Sequence, residues 1–273
     1  MYVSKTQASK PITVSALARM KDKGEKIAML TCYDAGFAVH VDEAGTDVVL
    51  VGDSLGMVIQ GHDTTVPVTV DQMIYHSQCV ARGLHRALLL VDMPFLSYPS
   101  PAVALENARR LMQEGGARMV KLEGDVLQTE TVRYLADRGV PVCAHLGLRP
   151  QSVHKMGGYK IQGRTDEAAA KMIEDARTLE DAGADMLLLE CVPGAVAEAI
   201  RRAVRVPVIG IGAGAQCDGQ VLVLYDILGI TPGKLPRFAQ DFCRGEMNFA
   251  EAIRAYVTAV KADRFPGPEH GFG

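Results

Sequence analysis

The stretch Val48-Val49-Leu50-Val51-Gly52-Asp53-Ser54-Leu55-Gly56 decides the fold. Four consecutive apolar, mostly β-branched residues are typical of a strand buried on both faces, and the Gly-Asp-Ser-Leu-Gly that follows is typical of the turn leaving it. Asp53 therefore lies where a buried strand ends. If several such strands lie parallel in a closed barrel, their carboxyl ends meet at one mouth, where barrels of this kind carry their chemistry.

The same order of apolar run, turn and helix repeats along the 273 residues. Strands are predicted at 27–32, 48–51, 88–92, 119–123, 141–145, 186–190, 206–211 and 221–225. Helices are predicted at 13–23, 37–44, 71–82, 101–114, 127–138, 166–182, 194–204 and, from the spacing of Phe249, Ile253, Tyr256, Val257 and Val260, near the C-terminus. Eight alternating strands at this length favour a closed (β/α)8 TIM barrel, one domain over 1–273 with an extra N-terminal helix and a C-terminal helical region. No G-x-G-x-x-G follows the first strand, which argues against a dinucleotide-binding fold.

Three connections, one glycine run and the C-terminal tail are unusual. Residues 212–220 are too few and too rich in Gly for an ordinary crossover helix and predict one irregular turn. The run Gly210 to Gly214 is typical either of a phosphate-binding loop or of close backbone packing, and the lack of nearby Lys or Arg favours packing. The long connections 54–70 and 146–165 follow strands and are typical of lids or binding loops. The tail from Pro266 is expected to be mobile or to serve assembly.

Composition excludes several classes of partner. The formal net charge is −3, the isoelectric point is near 6.2, and no dense block of basic residues is present, so nucleic acid and anionic membranes are poor partners and a small molecule is favoured. The first six residues lack an apolar signal core, and no run approaches the roughly 18 apolar residues of a membrane span. These features predict a cytoplasmic protein. The six cysteines are scattered, which predicts free, mostly buried thiols.

Ionisable residues stand at the ends of most predicted strands. They are Asp53 beside Ser54, Asp92, Lys121 with Glu123, His145, Glu190 and Asp226. Any one of them has a structural explanation, since an acid after a strand often caps the next helix and a lone His is often a hydrogen-bonded core residue. Together they favour a functional site, because charged residues are rarely buried without a partner.

Three of these carboxylates, Asp53, Asp92 and Glu123, are candidate metal ligands. Carboxylates held near one another repel, and a bound cation relieves that repulsion. Oxygen ligands select a hard ion, and Mg²⁺ is usually held by one or two carboxylates, waters and substrate. We expect two of the three to bind Mg²⁺ directly and the third through water.

A 2-oxo acid suits such a site. Mg²⁺ can contact its keto and carboxylate oxygens and stabilise the enolate formed when a neighbouring C–H is lost. Lys121 would add positive charge beside the substrate carboxylate. Glu190 ends the strongly apolar strand Met186-Leu187-Leu188-Leu189, whose low dielectric would raise its pKa toward neutrality and suit it as the base.

Several separated motifs resemble one known family. They are Val51-Gly52-Asp53-Ser54-Leu55-Gly56-Met57, Gly61-His62-Asp63-Thr64-Thr65, Asp92-Met93-Pro94-Phe95, Val120-Lys121-Leu122-Glu123-Gly124, His145-Leu146-Gly147-Leu148, Gly157-Gly158-Tyr159-Lys160, Leu189-Glu190-Cys191-Val192-Pro193 and Ile209-Gly210-Ile211-Gly212-Ala213-Gly214. In this order, over about residues 12 to 270, they resemble 3-methyl-2-oxobutanoate hydroxymethyltransferase (ketopantoate hydroxymethyltransferase).

The resemblance implies a barrel of the phosphoenolpyruvate/pyruvate superfamily, Mg²⁺, and hydroxymethyl transfer from 5,10-methylenetetrahydrofolate to 3-methyl-2-oxobutanoate, giving 2-dehydropantoate for pantothenate synthesis. It implies metal association for Asp53, Asp92 and Glu123, and proton abstraction by Glu190. Substrate binding is implied for Asp53, Ser54, Asp92 and Lys121, and His145 is counted with them. The family more often has Gly at the position of Ala144, so the ring of His145 is expected to shift slightly. A large ring, commonly a homodecamer, is also implied.

Two other functions stay open. A lyase or isomerase of a 2-oxo acid would use the same metal chemistry, but such relatives generally carry a Cys on a mobile loop, and neither 54–70 nor 146–165 contains one. A catalytically silent barrel used for assembly or ligand binding would not need Glu190. The intact set of acids, base and lysine argues against it.

Overall fold

Eight parallel strands close into a barrel in chain order in the computed structural model, which describes residues 10–243 and 248–272. The strands are β1 Ile27–Thr31, β2 Val48–Val51, β3 Leu88–Asp92, β4 Met119–Glu123, β5 Val142–Gly147, β6 Met186–Glu190, β7 Val208–Ile211 and β8 Gly219–Leu222. The helices are α1 Val14–Asp22, α2 Ala35–Glu43, α3 Leu55–Val58, α4 Val70–Ala81, α5 Pro101–Gln113, α6 Thr129–Ala136, α7 Val153–Met156, α8 Asp166–Asp181, α9 Gly194–Ala203, α10 Leu224–Ile227 and α11 Phe249–Lys261. Short 3₁₀ turns occupy Val126–Gln128, Pro150–Ser152 and Pro268–His270. The predicted (β/α)8 barrel is confirmed.

Strand register brings the charged strand ends to one level. Asp92 of β3 pairs with Lys121 of β4, and Glu123 of β4 pairs with His145 of β5. Gly147, at the end of β5, pairs with Glu190 of β6. The apolar residues before them are buried in the core, so the barrel interior is filled below this level and the polar side chains lie at its mouth.

The two terminal helices both pack against the barrel. In α1, Lys21 Nζ lies 3.0 Å from the buried carboxylate of Asp218, which precedes β8, so this helix covers the amino end. In α11, the hydroxyl of Tyr256 donates to the carbonyl oxygens of Met29 at 2.8 Å and Gln220 at 3.0 Å. That contact fastens α11 to the seam between β1 and β8.

The predicted position of the last strand was wrong. The strand lies at Gly219–Leu222, whereas Leu224–Ile227 forms a helix, so Asp226 is on a helix and not at a strand end. The cause is a tertiary hydrogen bond: the backbone N–H of Leu224 donates to Thr31 Oγ1 at 2.9 Å. This N–H is therefore not available for a hydrogen bond between β8 and its neighbouring strand. The apolar run 221–225 continues past the strand because the start of α10 is also buried.

Other strand ends differ by a few residues. β7 begins at Val208 because the N–H of Val206 donates to Glu180 Oε1 at 2.9 Å and Pro207 has no N–H to donate. β5 runs two residues further than predicted because Leu146 and Gly147 pair with β6. The join between β7 and β8 holds no helix, as predicted from its length.

The described part of the tail, 266–272, contacts the barrel, and its expected mobility or role in assembly stays a prediction. Gly194 N donates to the carbonyl of Phe272 at 3.3 Å. The N-terminal stretch 1–6 and Gly273 lie outside the described residues. In the described ranges, no helix combines the length and apolar character needed to cross a membrane.

Candidate active site

A cavity opens at the carboxyl end of the barrel, about 960 Å³ including its mouth. Every site residue predicted from the sequence lines it: Asp53, Ser54, Asp92, Lys121, Glu123, His145 and Glu190. They come from the ends of four strands, β3 to β6, and from the turn after β2. Met57 and Tyr159, from the two long connections, also line it, so both connections reach this mouth as predicted.

Asp53 and Asp92 lie side by side. The backbone N–H of Asp53 donates to Asp92 Oδ2 at 3.0 Å, which fixes the turn after β2 against the end of β3. A Cβ at Gly52 would lie 2.9 Å from Ser54 Oγ, so a larger residue there would displace the Ser54 hydroxyl. Ser54 Oγ shares a hydrogen bond of 2.8 Å with the hydroxyl of Tyr33. Tyr33, from the loop after β1, thereby fixes the orientation of the Ser54 hydroxyl.

Lys121 is the cation at the centre of the site. Its Nζ lies 2.9 Å from Asp92 Oδ1 and 3.3 Å from His145 Nδ1. Burial opposes its charge, but the carboxylates of Asp92, Glu123 and Asp53 outweigh that effect and raise the pKa of Lys121 above its ordinary value. Lys121 is therefore a full positive charge in the cavity wall.

His145 stands between two acids. Its Nδ1 lies 3.6 Å from Glu123 Oε1, and its Nε2 lies 3.4 Å from Glu190 Oε2. Burial, with the positive charges of Lys121 and Arg149, holds the pKa of His145 well below its ordinary value. The ring is neutral, so these contacts are not ion pairs, and Nε2 makes no aligned hydrogen bond. Ala144 beside it is fully buried in the barrel wall between Leu122 and Leu187, which accommodates its methyl group.

The acids outnumber the cations. Burial raises the pKa of Glu190 from 4.5 to about 8, although Lys121 opposes the shift. Burial and then the charge of Asp92 raise the pKa of Asp53 from 3.8 to about 7. Burial also raises the pKa of Glu123 well above its ordinary value. Full ionisation of this group would leave excess negative charge facing one lysine.

This donor set fits a hard cation bound by two carboxylates. No group of three or more His, Cys, Asp or Glu side chains in the described residues is arranged to hold a metal ion by itself. Asp53 and Asp92 are adjacent, however, and Asp92 Oδ1 makes no aligned hydrogen bond despite its contact with Lys121. Buried oxygen donors with surplus negative charge suit a Mg²⁺ ion that keeps waters as its other ligands.

Sequence reasoning missed Gln151. Its side-chain amide nitrogen donates to Asp53 Oδ2 at 2.8 Å and to the carbonyl of Met93 at 2.9 Å, while its backbone N–H donates to Glu123 Oε2 at 3.1 Å. Tyr98, also missed, donates through its hydroxyl to Gln151 Oε1 at 2.5 Å. Both are uncharged loop residues whose side chains become site residues only through folding. The sequence signal was limited to the unusual length of the 146–165 connection.

The glycine run that begins within β7 and continues after it packs closely, as we favoured. A Cβ at Gly210 would lie 2.8 Å from Cys217 Sγ, and one at Gly212 would lie 3.0 Å from the ring of Phe272. Gly212 also has φ +62°, which other residues rarely adopt. Among the thiols near strand ends, Cys32, Cys143 and Cys191 are buried, and burial raises the pKa of Cys191 to about 12. That thiol is therefore not a reactive thiolate.

The family model for ketopantoate hydroxymethyltransferase matches residues 11–268. The chain belongs to this family. A 3-methyl-2-oxobutanoate hydroxymethyltransferase from Alkalilimnicola ehrlichii is 57% identical over 267 residues, which are 98% of this chain and 96% of that protein. The ketopantoate hydroxymethyltransferase resemblance seen in the separated motifs is thus confirmed.

Solved structures show how this family's barrel relates to others. A putative phosphonomutase from Burkholderia cenocepacia superposes with a TM-score of 0.63 at 17% identity, covering 80% of this chain and 95% of that one. A 2,3-dimethylmalate lyase, described as a PEP mutase/isocitrate lyase superfamily member, gives a TM-score of 0.55 at 16% identity, covering 79% and 82%. At such identities the likeness concerns the fold alone, and it agrees with the closed (β/α)8 barrel described above.

Proposed function

We propose that this protein transfers a hydroxymethyl group from 5,10-methylenetetrahydrofolate to 3-methyl-2-oxobutanoate, forming 2-dehydropantoate for pantothenate synthesis. The observation that carries the proposal is one cavity lined by a glutamate whose pKa is raised to about 8, a lysine and a carboxylate pair. A base near neutrality opposite a cation-binding edge is what proton removal beside a keto group requires.

Asp53 and Asp92 would hold Mg²⁺, with Glu123 reached through water. When bound, the ion supplies a Lewis acid that polarises the keto oxygen and makes the neighbouring C–H more acidic. Asp53 presents its carboxylate in a fixed orientation because Gln151 donates to Oδ2 at 2.8 Å. Ser54 and Lys121 would receive the carboxylate of the oxo acid, the lysine by charge and the serine by hydrogen bonding.

Glu190 would accept the proton from C3 of the oxo acid. The C3–H bond breaks, and its electron pair forms the bond between C3 and the methylene carbon of the folate. That carbon is bound to N5 and N10 of the folate, and both of these C–N bonds break. Water supplies the oxygen and the hydrogen of the new hydroxyl group, while its second proton and the proton taken up by Glu190 end on the two nitrogens and leave tetrahydrofolate. The neutral ring of His145, 3.4 Å from Glu190 Oε2, would orient substrate and base without adding charge.

Proton exchange separates the base from the rest of the reaction. The purified protein with Mg²⁺ and 3-methyl-2-oxobutanoate in D₂O should exchange the C3 proton, measured by NMR. Glu190→Gln should abolish exchange, while the surface control Glu198→Gln should retain it. Unimpaired exchange in Glu190→Gln would refute the role of Glu190.

Product formation tests the whole function. With methylenetetrahydrofolate added, 2-dehydropantoate should appear and should stop after full chelation, then return with added Mg²⁺. Product that persists after chelation would remove the metal from the mechanism. The absence of product in the presence of Mg²⁺ would refute the transferase activity.

We further propose that the enzyme works in the cytoplasm as a homodecamer, as the family resemblance implies. Light scattering coupled to size-exclusion chromatography should give a mass near ten times the 29.4 kDa chain. A monomer at micromolar concentration would contradict the assembly.

A further inference from the structure

One half of the cavity takes no part in the mechanism above. Its wall is formed by β7, β8 and the chain after α10, and its side chains are mainly apolar: Ile211, Val221, Leu222, Val223, Pro236 and Phe238. Two polar side chains interrupt this wall, Asp226 and Thr231. The oxo acid is small and anionic, and it has its partners at Asp53, Asp92 and Lys121. The apolar half is therefore available to a second, less polar ligand.

Asp226 is a buried acid that lines this cavity and that the mechanism does not use. The residue is 4% exposed, and its Oδ1 accepts a hydrogen bond of 2.6 Å from Thr231 Oγ1. No lysine, arginine or histidine of the described residues forms an ion pair with it. Burial accordingly raises its pKa. A carboxylate kept in an apolar wall without a cation is costly to the fold, and such groups concentrate where a ligand needs them.

The apolar wall adjoins the base. Glu190 and Ile211 are register partners on β6 and β7, and both line the cavity. A ligand lying along the wall from Asp226 to Ile211 would reach the side of the cavity where Glu190 works. The second substrate must present its reactive carbon there.

We propose that Asp226, with the apolar wall around it, binds the pterin ring of the folate donor. The proposal rests on the function proposed above. A pterin is flat, with apolar faces, and carries a ring N–H beside an exocyclic amino group. These two donors match the two oxygens of one carboxylate in a bidentate hydrogen bond. The oxo acid cannot be the ligand of Asp226, because it offers no donors and its own negative charge would repel the carboxylate.

The test compares Asp226→Asn with wild type for each substrate separately. Asparagine keeps the shape but replaces one acceptor by a donor, so affinity for tetrahydrofolate, measured by calorimetry, should fall roughly ten- to a hundredfold. The Mg²⁺-dependent C3 proton exchange of the oxo acid, which needs no folate, should stay within about twofold of wild type. Asp185→Asn is the matched control, because Asp185 is also an acid whose pKa burial raises but accepts from Val142 N at the other end of the barrel.

A folate analogue identifies the group that Asp226 contacts. Replacing the exocyclic amino group of tetrahydrofolate by methyl should weaken binding to wild type and change binding to Asp226→Asn much less. Equal tetrahydrofolate affinity in wild type and Asp226→Asn would overturn the proposal, and so would equal losses of folate affinity and proton exchange. Failure of the proposed function would give a different result from failure of this proposal, because wild type itself would then neither bind tetrahydrofolate nor exchange the proton.

Discussion

Gln151 links two acids of the site, and its replacement should change the metal requirement. Gln151→Met removes the donor to Asp53 Oδ2 while keeping similar size and the backbone bond to Glu123. Loss of a supporting hydrogen bond to a metal-binding carboxylate typically costs about ten- to a hundredfold in metal affinity. The Mg²⁺ concentration for half-maximal activity should rise by that factor, with much of kcat recovered at saturating Mg²⁺.

Tyr98→Phe is a milder variant that tests the same role of Gln151. It removes the hydroxyl that donates to Gln151 Oε1 but leaves the amide bound to Asp53, so we expect a smaller shift in the same direction. A purely structural role for Gln151 would lower the melting temperature while leaving the Mg²⁺ dependence unchanged. That result would contradict its role as a positioning residue.

Glu190 should make the metal-free protein less stable as pH rises. Its pKa is about 8 in the folded protein and near 4.5 when exposed, so the folded state keeps a proton that the unfolded chain has released between these values. The free energy of unfolding therefore falls as pH rises through this window. Glu190→Gln removes this cost and should be roughly 1–3 kcal/mol more stable than wild type above pH 8. This range is smaller than the full pKa shift implies, because the side chain is 15% exposed and solvent screens its charge.

Urea unfolding in EDTA at pH 5 and above pH 8 measures this difference. Wild type and Glu190→Gln should have similar stability at pH 5, where the carboxyl is protonated when buried. Asp53 acts in the same direction, since its pKa is raised to about 7. The Glu190→Gln variant should therefore retain part of the fall in stability with pH. A constant difference at both pH values would contradict the assigned burial effect.

At the residue scale, the charged site residues could be predicted from the sequence, but the neutral residues that hydrogen-bond to them could not. Asp53, Asp92 and Glu190 could be predicted because each ends an apolar strand, where burial of an acid is conspicuous. Gln151 and Tyr98 could not, because amides and phenols in loops are common and their partners are set by chain folding 53 to 98 residues apart. Neutral hydrogen-bond donors leave no pattern in composition or spacing.

At the element scale, Asp47 connects the amino ends of two strands with a terminal helix. It is fully buried, accepts from the N–H of Ala28 at 3.0 Å, contacts Arg86 at 2.7 Å and also binds Lys261 of α11. Removing one member of a buried ion pair typically costs about 3–5 kcal/mol, because the partners remain without compensation. Asp47→Asn should lower the free energy of unfolding by about this amount.

The position of Asp47, at the end opposite the cavity, separates stability from activity. Urea unfolding should show the loss, while kcat and KM of the folded protein should stay near wild type. Lys261→Met is the milder control, because Lys261 is 33% exposed and Arg86 still pairs with Asp47. A large fall in kcat for folded Asp47→Asn would show that this end of the barrel is coupled to the site.

Element boundaries followed the sequence where local signals agreed with tertiary contacts. Helix α4 begins where Thr69 and Gln72 form a capping box, a pattern readable from sequence. β8 and α10 were misplaced because the run 221–225 is apolar throughout, and only the hydroxyl of Thr31, a strand away, ends the ladder at Leu224. A buried helix start and a buried strand have the same hydropathy.

At the scale of the whole molecule, the barrel could be predicted because its repeat is long. Eight apolar runs alternating with helices leave few topologies, and one misplaced strand end did not change the closure. The division of the cavity into a charged half and an apolar half could not be predicted, since Pro236 and Phe238 reach it from beyond the last strand. Residues that follow the last strand can line the cavity, and the strand pattern of the sequence does not predict which of them do.

Mg²⁺ should stabilise the entire fold, and more at high pH than at low pH. The carboxylates that would bind it must be ionised, yet burial holds the pKa of Asp53 near 7, so the cation competes with protons. At a Mg²⁺ concentration about 100 times its Kd, binding to the folded state adds about 2.7 kcal/mol, or roughly 5–10 °C in Tm for a chain of this size. Thermal unfolding at pH 8 with Mg²⁺ or EDTA measures the shift, which should shrink at pH 5.5 and in Asp53→Asn. An equal shift in wild type and Asp53→Asn would place the ion elsewhere in the molecule.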